Sequence, residues 1–409
     1  MLKWLFLDMN SFFASAEQHD NPALRARPCG VTPTEGEASG LIAVSVEAKA
    51  TGVRNGMRPR EARRMCPGFV AIKARPSRYV ELHHQLRAAT DKHAPITRVY
   101  SIDEWSVALV GKERTVEGSM ELARRIKRQI ADDLGPALRC SIGVSASRIL
   151  AKTACELQKP DGLTVLPLEE LPGAIAHLPV GKLPGIGPGM SARLAKHGVR
   201  DVPSLWRLSV QEARAVWGSV DGERWWRGFH GEEAPEPPTQ TRSMGHAHVL
   251  PPKYRNAEDA YGILIRLLCK AAVRTRVGGY WAHGLHAFVD GAPEAGRWDD
   301  AARFPAVQDT PTLVSCLGEL WRNAGAHPAT RRPKRIGVEL FGLTPHRSAS
   351  GLLFPEAERP RRLGQAMDQI NQRFGSHAIH PGAMHGIAGY AMDDKIAFGR
   401  VPEGDVLGM

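Results

Sequence analysis

The sequence predicts an α+β protein of several domains, and three observations carry that reading. Its 409 residues exceed what one ordinary core holds and suffice for two to four compact units. Before Leu166, short β-rich apolar runs alternate with amphipathic helical patterns, as in a sheet layered with helices. From Gly231 to Thr241 a Pro-rich, charged stretch has the composition of a semi-rigid connector, and a second globular unit starts near Ser243.

The elements follow in chain order. Leu5-Phe6-Leu7 is an apolar run that stops at Asp8-Met9-Asn10, so it reads as a buried strand whose C-terminal end points into a site. A basic stretch from Arg54 to Arg75, with short helical pieces around Pro59, Pro67 and Pro76, reads as a small inserted subdomain. Arg98–Ile102 and Trp105–Val110 are β-rich runs on either side of Asp103-Glu104 and read as adjoining strands of one sheet. Leu122, Ile126, Ile130 and Leu134 mark an amphipathic helix that stops at Gly135. Leu138–Val144 supplies another strand, and Ser145-Ala146-Ser147 opens a helix that carries Lys152. After Leu166 the chain turns helical, with a glycine-rich loop from Leu183 to Gly189 ahead of an amphipathic segment, Met190–His197. In the second unit, helices over Ala257–Val273 and Leu313–Asn323 accompany strands over Trp281–Val289 and Arg335–Leu340.

Composition narrows the function classes. A net charge of +11 suggests a polyanionic partner, nucleic acid first, with a solvated basic surface as the other reading. The six cysteines are scattered, without a CxxC pair, which fits free thiols in a reducing compartment better than a disulfide framework or a zinc site. The apolar start ends at Asp8, too short for a signal peptide, and the longest apolar stretches fall well short of the roughly 20 residues a membrane-spanning helix needs. A cytoplasmic protein is expected.

Asp8, Asp103 and Glu104 come from distant segments that both read as strand ends able to meet on one sheet. Clustered carboxylates repel and protonate unless a cation neutralises them. An all-oxygen set favours magnesium, and in a two-metal site one ion activates the attacking hydroxyl while the other stabilises the departing oxygens. Taken singly, each acid is better explained by surface charge or a turn cap. Phe12 and Phe13 follow directly and read as core aromatics on their own. Gly185, Gly187 and Gly189 sit where a tight turn ahead of a helix presents N–H groups to phosphate, as in a helix-hairpin-helix. Arg331-Arg332-Pro333-Lys334-Arg335 is by itself a solvated basic face, and His377, His380 and His385 lack a cysteine or acid to complete a metal site.

Read with their neighbours, Asp8-Met9-Asn10-Ser11-Phe12-Phe13-Ala14-Ser15-Ala16-Glu17 and Tyr100-Ser101-Ile102-Asp103-Glu104 resemble the two catalytic motifs of Y-family DNA polymerases, and the resemblance runs along nearly the whole chain. Val46–Val53 and the stretch from Leu363 to Gly375 are similar to the polymerase V catalytic-subunit (UmuC) branch more than to the polymerase IV (DinB) branch. The resemblance implies a right-hand polymerase: a ferredoxin-like palm (1–10 and 76–168), small fingers (11–75), a helical helix-hairpin-helix thumb (169–232), a linker (233–242), an α/β little finger (243–349) and a C-terminal tail (350–409). It implies that Asp8, Met9 through its carbonyl, Asp103 and Glu104 bind two Mg²⁺ ions. Asn10, Ser11, Phe12, Phe13, Lys49 and Lys152 are the implied nucleotide-binding residues. Among these Phe13 is the implied steric gate against ribose, and Lys49 and Lys152 grip the triphosphate as point charges. Val46 departs from a tyrosine that many members use on the triphosphate. Arg331, Arg332, Lys334 and Arg335 become little-finger contacts to duplex phosphates, and Gly185, Gly187 and Gly189 thumb contacts.

The expected function is magnesium-dependent, template-directed addition of deoxynucleotides to a primer 3′ end. Low fidelity, lesion bypass without proofreading, and a place in DNA repair and the SOS response are implied by the resemblance. Primer-template DNA and deoxynucleoside triphosphates are the expected partners. A sliding clamp is expected on Leu352, Leu353 and Phe354, although the usual leading glutamine is absent, and an accessory subunit or recombinase is a further expected partner. The rival reading is a catalytically silent, polymerase-shaped DNA-binding scaffold, and a metal nuclease on a similar sheet is a third.

Overall fold

The computed structural model describes residues 1–37, 39–233, 240–325, 327–346, 358–375, 378–387 and 389–390. It divides into two compact units with the boundary between Glu236 and Pro237. In the first, β1 (Trp4–Met9) and α1 (Phe12–Asp20) lead into β2 (Cys29–Thr32), β3 (Ala43–Val44), α2 (Val46–Ala50), α3 (Pro59–Met65) and β4 (Val70–Lys73). Then come α4 (Pro76–Asp91), β5 (Ile96–Val99), β6 (Glu104–Ala108), α5 (Val116–Leu134), β7 (Cys140–Ser145), α6 (Arg148–Leu157) and β8 (Leu163–Leu166). Four helices finish the unit: α7 (Pro188–Lys196), α8 (Val202–Trp206), α9 (Val210–Trp217) and α10 (Val220–Phe229).

The main sheet has the order β5-β6-β1-β7-β8, with β1 antiparallel to both β6 and β7 and β7 parallel to β8. Central β1 is buried from Leu5 to Met9, because helices cover both of its faces and it therefore carries no polar alternation. Phe6 packs against Ala151 and Cys155 of α6, so Leu5, Leu7 and Met9 point the other way. Asp8 shares the face of Phe6. The Ser147 hydroxyl caps α6 by accepting from Leu150 N at 3.2 Å, and Leu150, Ala151, Ala154 and Cys155 form its buried stripe. Gly143 of β7 is what lets α6 lie so close: a Cβ there would stand 2.1 Å from the Ala151 carbonyl oxygen. On α5, Leu122, Ile126 and Ile130 are buried at the spacing read from the sequence, and the helix ends before Gly135.

Residues 29–73 form a small subdomain around the sheet β3-β2-β4, with its own core of Leu41, Val44, Ala48, Val53, Ala62 and Phe69. Helical structure appears at Pro59 and Pro76, whereas Pro67 lies in a turn leading to β4, since α3 stops at Met65. Helices α7–α10 close around Leu194, Val202, Leu205, Val216, Trp225 and Phe229. Glu233, expected at the start of the linker, is anchored to the first unit: its carboxylate accepts from Arg148 N at 2.9 Å and from the Arg148 guanidinium at 2.8 Å. Residues 234–239 of the expected connector lie outside the described residues.

The second unit runs β9 (Ser243–Val249), α11 (Ala257–Val277), β10 (Tyr280–Asp290), β11 (Arg297–Val307), α12 (Thr310–Ala324), α13 (Pro328–Arg331), β12 (Arg335–Phe341), β13 (Thr344–Pro345) and α14 (Glu358–Phe374). Its sheet is antiparallel, order β11-β10-β12-β9, with α11 and α12 packed on it around Leu264, Leu268, Leu285, Leu317, Ile336 and Leu340. The boundary expected at 349/350 cuts across this unit. Arg276 of α11 donates a fork to Asp368 of α14, at 2.6 and 2.7 Å, and Met384, Ile387 and Tyr390 join the core. Apolar residues beyond 350 complete that core, so they do not behave as a separate tail.

Candidate active site

Asp8 and Glu104 stand directly opposite each other where β1 meets β6, because the antiparallel register pairs Asp8 with Glu104 and Leu7 with Trp105. Asp103 occupies the turn just before β6, and its carbonyl accepts from Met9 N at 2.9 Å, which ties the two acidic segments together. The Ser101 hydroxyl donates to the Asp103 carboxylate at 2.5 Å. Above them runs α6, whose Lys152 and Glu156, with Lys159 just past its end, recur at helical spacing on one side. Lys159 Nζ lies 2.8 Å from Asp8 Oδ1 and 2.6 Å from Glu156 Oε1, and Lys152 Nζ donates to Glu104 Oε1 at 2.6 Å.

Burial dominates the electrostatics of this cluster. It pushes the Asp8 carboxyl up to about 8, against the pull of the Lys159 ammonium. It also raises Asp103, against the Ser101 hydroxyl. Glu104 feels the same burial, but the hydrogen bond from Asp8 and the charge of Lys152 outweigh it and hold Glu104 below the ordinary range. The two carboxyls, side by side where β1 meets β6, thus move in opposite directions, Asp8 up and Glu104 down. Among the described residues no group of three His, Cys, Asp or Glu side chains stands ready as a closed metal cage. The donor set, two aspartates, a glutamate and the Met9 carbonyl, is nevertheless all oxygen, which suits a hard divalent ion that keeps positions for substrate. Lys159 and Lys152 set positive charge against Asp8 and Glu104.

These groups open into a cleft of about 630 Å³. Asp8, Met9, Asn10, Ser11, Phe12 and Phe13 line one side with Asp103 and Glu104; Ile42, Ala43, Val44, Val46, Lys49, Ala50 and Asn55 come from the small subdomain, and Glu156, Lys159 and Pro160 from the end of α6. Every expected metal ligand and nucleotide residue lines it except Lys152. The Lys152 ammonium donates to Glu104 and lies 5.2 Å from the Phe6 ring centroid, whereas Lys159, paired with Asp8 and Glu156, lines the cleft. Sequence reading passed over Lys159 because it lies beyond the helix and before a proline; the Lys152, Glu156, Lys159 spacing was the available signal.

Asn10 lines the cleft, yet its amide serves the scaffold. It donates to the Ser141 hydroxyl at 3.0 Å and accepts from Asp161 N at 2.6 Å, which fixes the turn presenting Lys159. Ser11 takes a left-handed conformation, φ 52°, to start α1, and Ser15 N donates to its carbonyl at 3.0 Å. Phe12 and Phe13 are both buried. The Phe13 ring stacks on Tyr79, with centroids 4.5 Å apart and planes 14° from parallel, while Tyr79 Oη donates to buried Glu17 at 2.7 Å. Burial, reinforced by the like charge of Lys159, lowers the Lys49 ammonium.

The remaining expected residues lie elsewhere. Gly185 turns at φ +83°, a conformation that suits glycine, and Trp225 Nε1 donates to Pro184 O at 2.9 Å to hold the turn. Gly187 and Gly189 flank the start of α7 with open space around them. The element before this loop is a 3-10 turn, Val180–Lys182, where a helix-hairpin-helix reading expects a full helix. Arg331, Arg332, Lys334 and Arg335 are exposed in the second unit, and Arg335 stacks 5.2 Å from the Phe288 ring centroid and pairs with Asp290 at 3.4 Å. Leu352, Leu353, Phe354 and His377 lie outside the described residues. Among the described residues no helix is long and apolar enough to cross a membrane, and no cysteine is in a disulfide.

A family model described as the impB/mucB/samB family matches residues 7–156. The chain is 35% identical over 388 residues to a DNA polymerase IV of Moorella thermoacetica, covering 92% of this chain and 94% of that one. It is 32% identical over 385 residues to a DNA polymerase IV of Pelotomaculum thermopropionicum, covering 92% and 93%. Among solved structures, a Y-family DNA polymerase chimera of Dbh and Dpo4 superposes with a TM-score of 0.71 at 23% identity, covering 84% of this chain and 99% of that one, a likeness of fold.

Proposed function

The chain belongs to the Y family of DNA polymerases, and on that premise we propose that Asp8, Asp103, Glu104 and the Met9 carbonyl hold two Mg²⁺ ions for adding deoxynucleotides to a primer 3′ end. It is a template-directed, lesion-bypassing DNA polymerase. The observation that carries the site assignment is the pairing of Asp8 with Glu104 across β1 and β6, beside Asp103, on a cleft that Lys49 and Lys159 also reach. When bound, the ions lower the pKa of the primer hydroxyl and balance charge on the leaving phosphate. Lys49 and Lys159 bind the triphosphate, and Lys159, paired with Asp8, would be released to the phosphates where that carboxylate held a cation. Lys152 keeps Glu104 ionised and oriented. Phe13, held by Tyr79, excludes a ribose 2′-hydroxyl.

The finer map belongs to the same proposal: palm, fingers and thumb as the sequence lays them out, a little finger whose core takes in Met384, Ile387 and Tyr390, DNA backbone contacts at Gly185, Gly187, Gly189, Arg331, Arg332, Lys334 and Arg335, and work in the cytoplasm. The two relatives named above carry the polymerase IV name; affinity to the polymerase V branch rests on Val46–Val53 and 363–375 alone. Primer extension with magnesium tests the reading. Wild type should lengthen a primer according to template and Asp103→Ala should not. A wild type that binds DNA without lengthening it would point to a silent scaffold, and shortened DNA would point to a nuclease.

A further inference from the structure

The turn that carries the acidic pair is held from behind. Tyr100 N and Ser101 N both donate to Glu104 O, at 2.9 and 3.3 Å, and close the turn from within. On the side of α4, fully buried His83 places Nδ1 2.6 Å from the carbonyl oxygen of Ile102, the residue immediately before Asp103. A carbonyl only accepts, so the imidazole proton sits on Nδ1 and His83 donates. Nε2 and the neighbouring Trp105 Nε1 are both buried without a hydrogen-bond partner among the described residues, and the two rings meet edge to face at 6.0 Å. A buried imidazole left half-satisfied is unfavourable, and the bond it does make is the one to the acidic turn.

We propose that His83 is a positioning residue for the metal site, fixing Asp103 and Glu104 through the Ile102 carbonyl. The inference rests on the polymerase reading for its purpose and on the geometry alone for its existence. Without this donor, Ile102 O is a buried acceptor that lacks its bond, and the turn rotates to find another. Asp103 is one peptide away, so its carboxylate moves with that rotation. A metal site tolerates displacements of only about 0.5 Å before ligation suffers. Because burial pushes His83 down to about 4, the ring is neutral at working pH and adds no charge beside the carboxylates.

The full chain tests this with His83→Leu, which removes the donor, and His83→Asn, whose amide N–H falls near the place of Nδ1. Manganese(II) affinity, read from the EPR signal of the free ion, should weaken at least fivefold in His83→Leu and stay within twofold of wild type in His83→Asn. Primer extension should follow the same order, with kcat falling and KM for nucleotide little changed. Circular dichroism checks that each variant is folded. Wild-type manganese affinity in folded His83→Leu overturns the proposal, and so does a folded His83→Asn as weak as the leucine variant. If His83→Leu does not fold, the His83→Asn comparison decides. Wild type that binds manganese but extends no primer would sink the polymerase reading and leave this one standing.

Discussion

At the scale of single residues, the account turns on which side chains meet the substrate. Phe13 is buried, and its stacking on Tyr79 leaves it little room to yield. Overpacking a rigid site costs about 1–3 kcal/mol, and each 1.36 kcal/mol is tenfold in rate, so Phe13 should favour deoxyribose by roughly ten- to a few hundred-fold. Phe13→Ala should therefore raise ribonucleotide insertion and lower deoxynucleotide insertion modestly, while Phe12→Ala changes sugar choice less; a Phe13→Ala enzyme as selective as wild type removes the gate from this ring. The two lysines make a second contrast. A charge-assisted hydrogen bond contributes about 1.5–3 kcal/mol, so Lys159→Ala should raise the nucleotide KM roughly ten- to a hundred-fold, whereas Lys152→Ala should act mainly on kcat through Glu104. The reverse pattern in steady-state kinetics would restore Lys152 to the triphosphate. That the three acids and Phe13 would share one cleft was legible from the sequence, because motif and strand end coincide. Lys159 was not, since its reach depends on how closely α6 lies on the sheet.

At the scale of elements, that closeness depends on Gly143. A methyl there would meet backbone atoms of α6, 2.1 Å from Ala151 O and 2.2 Å from Cys155 N, neither of which moves without the helix. Gly143→Ala should cost about 3 kcal/mol or more, and at about 2–4 °C per kcal/mol for a unit of this size the thermal midpoint should fall by about 6–12 °C. Gly187→Ala, with open space around it, should leave the midpoint within about 2 °C; equal midpoints for the two variants would show that α6 is not held this tightly. The elements most legible in the sequence were those with a single clear period: β1 as an unbroken apolar run, α5 as a stripe. Less legible were β9, β11 and α14. The β11 sequence Arg297–Val307 is interrupted by two aspartates, two arginines and a proline, and of its residues Trp298 alone is buried. α14 buries Gly364 against α11 and α12 and leaves Leu363 and Phe374 exposed, so its apolar residues do not mark its inner face.

At the scale of the whole molecule, the net charge of +11 suits a DNA polymerase, whose substrate is a polyanion. Phosphate contacts dominate such binding, so affinity for DNA and turnover should separate cleanly on mutation. The proposed clamp contact is a test of reach beyond the catalytic unit. The double substitution Leu353→Ala, Phe354→Ala should weaken binding to the sliding clamp without changing extension of a short primer, and equal clamp affinity for variant and wild type would exclude that segment. The central claim is that Asp8, Asp103 and Glu104 hold the cations for nucleotidyl transfer. It is tested most directly by measuring single-nucleotide insertion under magnesium for Asp8→Ala, Asp103→Ala and Glu104→Ala, with the Kd for primer-template DNA measured alongside. Insertion should fall by about a thousandfold or more in each, equivalent to about 4 kcal/mol, with Kd within about threefold of wild type; normal turnover by any one of the three would contradict the account.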